Sequence, residues 1–146
     1  MQNDLLAPLL CTALMRIGTR MAVVFDQHFA TLGVTQAQFR LMLAVWEEGG
    51  DAGITPSALA DFLLIERATI SVLTQRMVQR GLLERRAGEN RRTFRLALTE
   101  PGRARLFEVI PHAVSLAEET LNGVSSARLH ELQAMLDAVE RQLRQD

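Results

Sequence analysis

"ERATISVLTQRMVQRGLLERRAGENRRTFRLALT", residues 66–99, changes its period halfway along. Up to Gly81, the apolar residues Ile70, Leu73 and Met77 recur at helical spacing, which leaves the opposite face polar. Beyond Gly81 the alternation becomes two-residue. Segments 82–86 and 93–98 read as strands, with Phe94, Leu96 and Leu98 on the inward side. The linking turn "AGENR" contains Gly88 and Asn90, residue types that accept positive φ. Just upstream, "ITPSALADFLL" predicts a short helix. Thr55 caps it, Pro56 at the first position loses no hydrogen bond, and Leu59, Phe62 and Leu63 form its buried face. A turn at 64–66 joins the two helices into a helix-turn-helix, and the hairpin behind it makes a winged helix.

Working outward, residues 5 to about 31 carry apolar positions at helical spacing on more than one stripe, too many for one domain to hide. Gly33 and Thr35 in "LGVT" end that helix and start a second, through Phe39, Met42, Leu43 and Trp46 to about residue 48. Downstream, Thr99 caps a fifth helix, which Pro111 is expected to kink or loosen. "NGVSS" ends it, and Ser125 or Ser126 caps a sixth. There Leu129, Leu132, Leu136, Val139 and Leu143 follow alternating spacings of three and four, a seam that wants a partner. The expected fold is mainly α with a small β-hairpin wing. It is one domain over 1–146, with dimerisation helices at about 1–31 and 100–146 and a DNA-binding lobe at about 35–99.

The composition, 48% hydrophobic and 23% charged, is globular. No uninterrupted apolar run approaches the roughly 20 residues of a membrane span, and the N-terminus is acidic where an export signal is basic, so a cytoplasmic protein with no membrane partner is expected. One cysteine and three histidines give neither an internal disulfide nor a zinc spacing, so neither metal nor cofactor is expected. No nucleophile elbow, phosphate-binding glycine loop or close carboxylate pair is visible, which argues against an enzyme.

The net charge of −1 conceals segregation. Residues 66–105 hold ten arginines against four acids, while the rest of the chain holds six against thirteen. Every cationic residue is arginine, the side chain suited to bidentate phosphate and guanine recognition. Duplex DNA rewards such clustering, because each neutralised phosphate releases counterions. Arg91 and Arg92 in the turn suit a minor groove, and Arg67, Thr69, Ser71, Val72, Gln75 and Arg76 project from the polar face of the fourth helix toward a major groove. Thr55 and Ser57 stand at a helix start, where free N–H groups attract phosphate. The competing reading pairs the wing arginines with Glu84 and Glu89 as an ordinary solvated surface.

The segments "LGVTQAQFRLMLAVWE", "ERATISVLTQRMVQRGLL" and "NRRTFRLALTEPG", in this order over essentially the whole chain, resemble the MarR family of winged-helix transcriptional regulators. The resemblance implies a homodimer that places two recognition helices about one DNA turn apart on a pseudo-palindrome. It implies a repressor released by a small aromatic or phenolic ligand held near Met15, Arg16, Arg20, Phe25, His28, Phe39, Met42 and Trp46. Two departures stand out: Asn90 replaces the acid expected to orient Arg92, and Val72 replaces a frequent arginine. Cys11 resembles the cysteine of the family's oxidation-sensing branch, but the chain has no tyrosine to serve it, so a buried inert thiol is expected. Two alternatives accompany the repressor reading: a thiol-based sensor through Cys11, and a winged-helix protein-interaction module without DNA binding.

Overall fold

The computed structural model describes residues 4–144; the extreme ends of the two expected dimerisation segments lie outside the described residues. Six helices and a hairpin follow one another: α1 Leu6–Phe29, α2 Gln36–Ala44, α3 Pro56–Leu63, α4 Arg67–Gln79, β1 Leu83–Ala87, β2 Phe94–Leu98, α5 Glu100–Thr120 and α6 Ser126–Leu143. A 3-10 turn, Ala30–Leu32, follows α1, and a π turn, Val45–Gly49, extends α2. The helix starts are those that the capping residues predict. Thr35, Thr55, Thr99 and Ser125 each accept a backbone N–H three residues on, and Gln38 completes a capping box with Thr35.

One core gathers the winged helix together with parts of α1, α2 and α5. Phe29 from α1, Leu41 and Met42 from α2, Leu59 from α3, Ile70 and Met77 from α4, Leu83 and Leu96 from the wing, and Leu106 and Val109 from α5 are all fully buried. Phe29 stacks edge-on against both Phe25 and Phe39, with ring centroids 5.6 and 5.3 Å apart. Thr74, the one buried polar side chain among the described residues, is satisfied by donating to Ile70 O at 2.8 Å. The hairpin pairs Leu83 with Leu98 and Ala87 with Phe94. Ile54 adds a single bridge, exchanging hydrogen bonds of 2.9 and 2.8 Å with Leu96. One residue leaves no alternating pattern, so this third rung was not legible in the sequence.

Four expectations are corrected. Phe62 is 38% exposed, and Ala60 takes its place on the buried face of α3, since a short helix against α2 and α4 leaves room for a small side chain. Neither Gly88 nor Asn90 has positive φ; the turn is closed by hydrogen bonds instead. Gly88 is needed because a Cβ there would meet Thr93 Oγ1 at 2.5 Å. Leu64, between α3 and α4, is the one non-glycine residue in the left-handed region among the described residues, at φ 54°. Finally, Leu6–Leu32 is long and apolar enough by composition to cross a bilayer, because average hydropathy tolerates the charges at Arg16, Arg20 and Asp26 that interrupt every apolar run. Helix α5 continues unbroken through Pro111.

The flanking helices leave much apolar surface uncovered. Only Phe29 of α1 and no residue of α6 is buried, while Leu6, Leu9, Leu10, Leu14 and Ile17 on α1 and Leu132, Leu136, Val139 and Leu143 on α6 are exposed. Cys11 lies in the α1 face and is exposed, not buried as its residue type suggested, because the chain supplies nothing to cover it.

Candidate nucleic-acid interface

Helix α4 projects outward because Ile70, Thr74 and Met77 anchor its inner side. Arg67, Thr69, Ser71, Val72, Gln75 and Arg76 are all exposed on the outer side, together with Ala68, which the sequence reading passed over. Val72 presents an apolar spot in the middle of this face, 49% exposed. The start of α4 has no side-chain cap, so its first backbone N–H groups stay available to an anion.

The wing completes a cleft of about 300 Å³ lined by Thr55, Pro56, Ser57, Arg67, Arg92, Thr93 and Phe94. Four of the residues singled out from sequence thus converge on one concave site, where the starts of two helices and two guanidinium groups share a positive field. Asn90 stands in for the missing carboxylate in a different way from the one expected. Its Oδ1 accepts the Arg92 backbone N–H at 2.9 Å, while its own N–H and carbonyl engage Thr93 Oγ1 at 3.3 and 3.4 Å. Gly88 N–H closes the base on Thr93 O at 3.2 Å. The tip is therefore shaped by bonds from the Asn90 and Thr93 side chains to backbone, and the exposed Arg92 guanidinium has no acidic partner among the described residues.

The arginine cluster divides in two. Arg86 is held by Glu84, with Nε and Nη2 at 2.9 and 2.7 Å from its carboxylate, and also donates to Asp51 O. Arg95 reaches Gly53 O at 3.3 Å and Glu89 at 3.8 Å, and Arg103 lies 3.9 Å from Asp51. Arg85 stacks on Phe94, 5.1 Å from the ring centre, and Arg105 donates to Leu32 O at 2.5 Å. The pairing of wing arginines with Glu84 and Glu89 is thus real for Arg86 and Arg95, which brace the hairpin against the loop at 49–54. Arg67, Arg76, Arg91 and Arg92 make no ion pair among the described residues and form the outward-facing cationic set.

The residues suggested for a ligand do not form one site. Arg16, Arg20 and Phe25 line a cavity of about 400 Å³ between α1 and Thr120 of α5. Phe25 and Phe39 line a neighbouring one of about 330 Å³, with Met21 shared by both. Met42 is fully buried in the core, and Trp46 packs on Phe107 at the far end of α2, with ring centroids 5.5 Å apart. Met15 lines a separate surface depression that Arg16 and Arg20 also border, and His28 is exposed with Nδ1 against Val24 O at 2.9 Å. Helical spacing had put Phe39, Met42 and Trp46 on one face, but most of that face is core. Met21 and Thr120 were missed because nothing in the sequence distinguishes them from packing residues.

A helix with a free polar face, a basic wing and a cleft between them define a winged helix-turn-helix DNA-binding protein. Residues 32–93 match the MarR family. The transcriptional regulator PecS of Dickeya dadantii is 26% identical over 131 residues, 89% of this chain and 79% of that protein. The transcriptional repressor YetL of Bacillus subtilis is 28% identical over 100 residues, 68% of this chain and 59% of that protein. Among solved structures, the M. tuberculosis transcriptional regulator MOSR in complex with DNA is 25% identical, with a TM-score of 0.75 over 92% of this chain and 97% of that one. Over residues 32–93 the chain is thus similar to the MarR family, and its fold is that of a winged-helix transcriptional regulator.

Proposed function

We propose that the protein acts as a homodimeric repressor on a pseudo-palindromic operator and is released by a small aromatic acid. The observation that carries this reading is the uncovered apolar surface of α1 and of α6, the α1 part of which adjoins the cavity of Arg16 and Arg20. Each large apolar side chain left in water forgoes roughly 1.5–3 kcal/mol of burial, so a second copy laid twofold over these helices is the economical cover. In that arrangement segments 1–31 and 100–146 form the dimer region, and 35–99 form the reading lobe. Within each lobe Arg67, Thr69, Ser71, Val72, Gln75 and Arg76 face the major groove, Arg91 and Arg92 enter the minor groove, and Thr55 and Ser57 lie by the phosphates.

The cavity is apolar apart from its two guanidinium groups and the Thr120 hydroxyl, which already donates to Leu116 O, a combination that suits an aromatic ring bearing a carboxylate. A ligand there touches α1 on one side and α5 on the other, the two helices from which the lobe hangs. Titrating a panel of aromatic carboxylates, salicylate and hydroxycinnamates among them, into the protein–DNA complex tests the reading. Release is expected from the wild type and not from an Arg16→Ala, Arg20→Ala double variant that still binds DNA. Equal release from both removes the cavity from the mechanism.

A further inference from the structure

The corner between α1 and α2 is tied from three directions. Asp26 of α1 accepts the Gln36 backbone N–H at 2.7 Å, and Arg105 of α5 donates to Leu32 O at 2.5 Å. The third tie comes from Arg80, the residue that caps the end of α4. Its Nη2 donates to Gly33 O at 3.0 Å and its Nη1 to Gln38 Oε1 at 3.3 Å, across more than forty residues of chain. The same Gln38 oxygen accepts the Thr35 N–H at 3.1 Å, so Arg80 closes directly onto the capping box that starts α2.

We propose that Arg80 is a positioning residue for DNA recognition: it fixes the C-terminal end of the reading helix against the α1–α2 corner and so sets the angle at which α4 enters the groove. Both guanidinium nitrogens used in the tie point back into the protein, in contrast to those of Arg67 and Arg76 on the same helix. Geometry favours arginine here, since two acceptors on different segments are met by one planar fork, which a single ammonium group cannot match. The Gly33 carbonyl is held at its place by a left-handed residue, φ 70°, and Gln38 by the first turn of α2, so neither acceptor has to be ordered by the arginine itself.

The test measures affinity for a duplex that the wild type selects from random sequence, across a range of salt, at a temperature where circular dichroism shows each protein folded. Arg80→Gln and Gln38→Ala are each expected to weaken binding, up to roughly tenfold, with a salt slope equal to that of the wild type. The double variant should lose little more than Arg80→Gln alone, because that substitution already removes the bond to Gln38 together with the one to Gly33. A slope reduced by about one unit in Arg80→Gln alone would make Arg80 a phosphate contact and overturn the proposal. So would unchanged affinity. If Arg80→Gln fails to fold, Gln38→Ala decides: it alters no charge and leaves the Gly33 bond in place, and wild-type affinity in that variant also overturns the proposal. A wild type that selects no duplex would sink the reading of α4 itself, and this inference with it.

Discussion

Arg92 and Arg95 sit three residues apart on the wing and do opposite things. Arg92 leads outward into the cleft with Arg67, whereas Arg95 is spent on Gly53 and Glu89. Arg92→Ala should therefore weaken DNA binding and lower the salt slope by about one unit, while Arg95→Ala should leave the slope alone and show its effect in thermal stability. Fluorescence anisotropy at several salt concentrations separates the two. Gly102 makes a sharper case. A Cβ at this position would overlap the Leu82 carbonyl oxygen, and backbone cannot yield as a side chain can. Gly102→Ala should cost at least the 1–3 kcal/mol typical of overpacking, read as a fall in the denaturant midpoint. The sequence could not sort its arginines this way. All ten in the basic stretch have the same chemistry, and only the position of a carbonyl or carboxylate across the fold decides which of them brace and which reach out.

At the scale of elements, the helix starts and the hairpin were legible because capping residues and a change of period act locally. The π turn after α2, the Ile54 bridge and the turn at Leu64 were not, since each is settled by what packs against it. The wing tip lies between these cases: its glycine and asparagine marked a turn, yet the closing bonds belong to Thr93. Thr93→Val keeps the shape of the side chain and removes the hydroxyl that bonds Asn90. It is expected to loosen the tip, seen as faster amide exchange at residues 88–93, and to weaken DNA binding with little change in global stability. In α6, the seam of Leu132, Leu136 and Val139 has no cover of its own. On the proposed homodimer reading, Leu136→Arg should sediment as a monomer, and a variant that still sediments as a native dimer would move the interface elsewhere.

For the molecule as a whole, charge and apolar surface are partitioned between different elements. The wing and α4 carry the outward-facing cations, and the long faces of α1 and α6 carry the exposed leucines. On the proposed reading a second copy covers those faces and adds stability by mass action, so the melting temperature should rise with protein concentration and rise further with selected duplex present. A concentration-independent melting temperature would identify a self-sufficient protomer. The sequence disclosed this partition through its segregated charge and its over-apolar first helix. It did not disclose the cavities, because their lining comes from α1, α2 and α5, whose facing sides are set only when the three helices meet.

The junction between β2 and α5 has a mechanical meaning. Thr99 Oγ1 donates to Gly81 O at 2.5 Å and accepts the Gly102 N–H at 3.0 Å, with no side chain between α5 and the backbone at Leu82. Hairpin and helix are welded there, and the 21 residues of α5 make a rod about 30 Å long. A sideways shift of about 2 Å at its far end, where Thr120 borders the cavity, turns the rod through about 4° and swings the hairpin with it. On the reading proposed above, so close a joint passes that rotation on to the wing and its outward-facing Arg92.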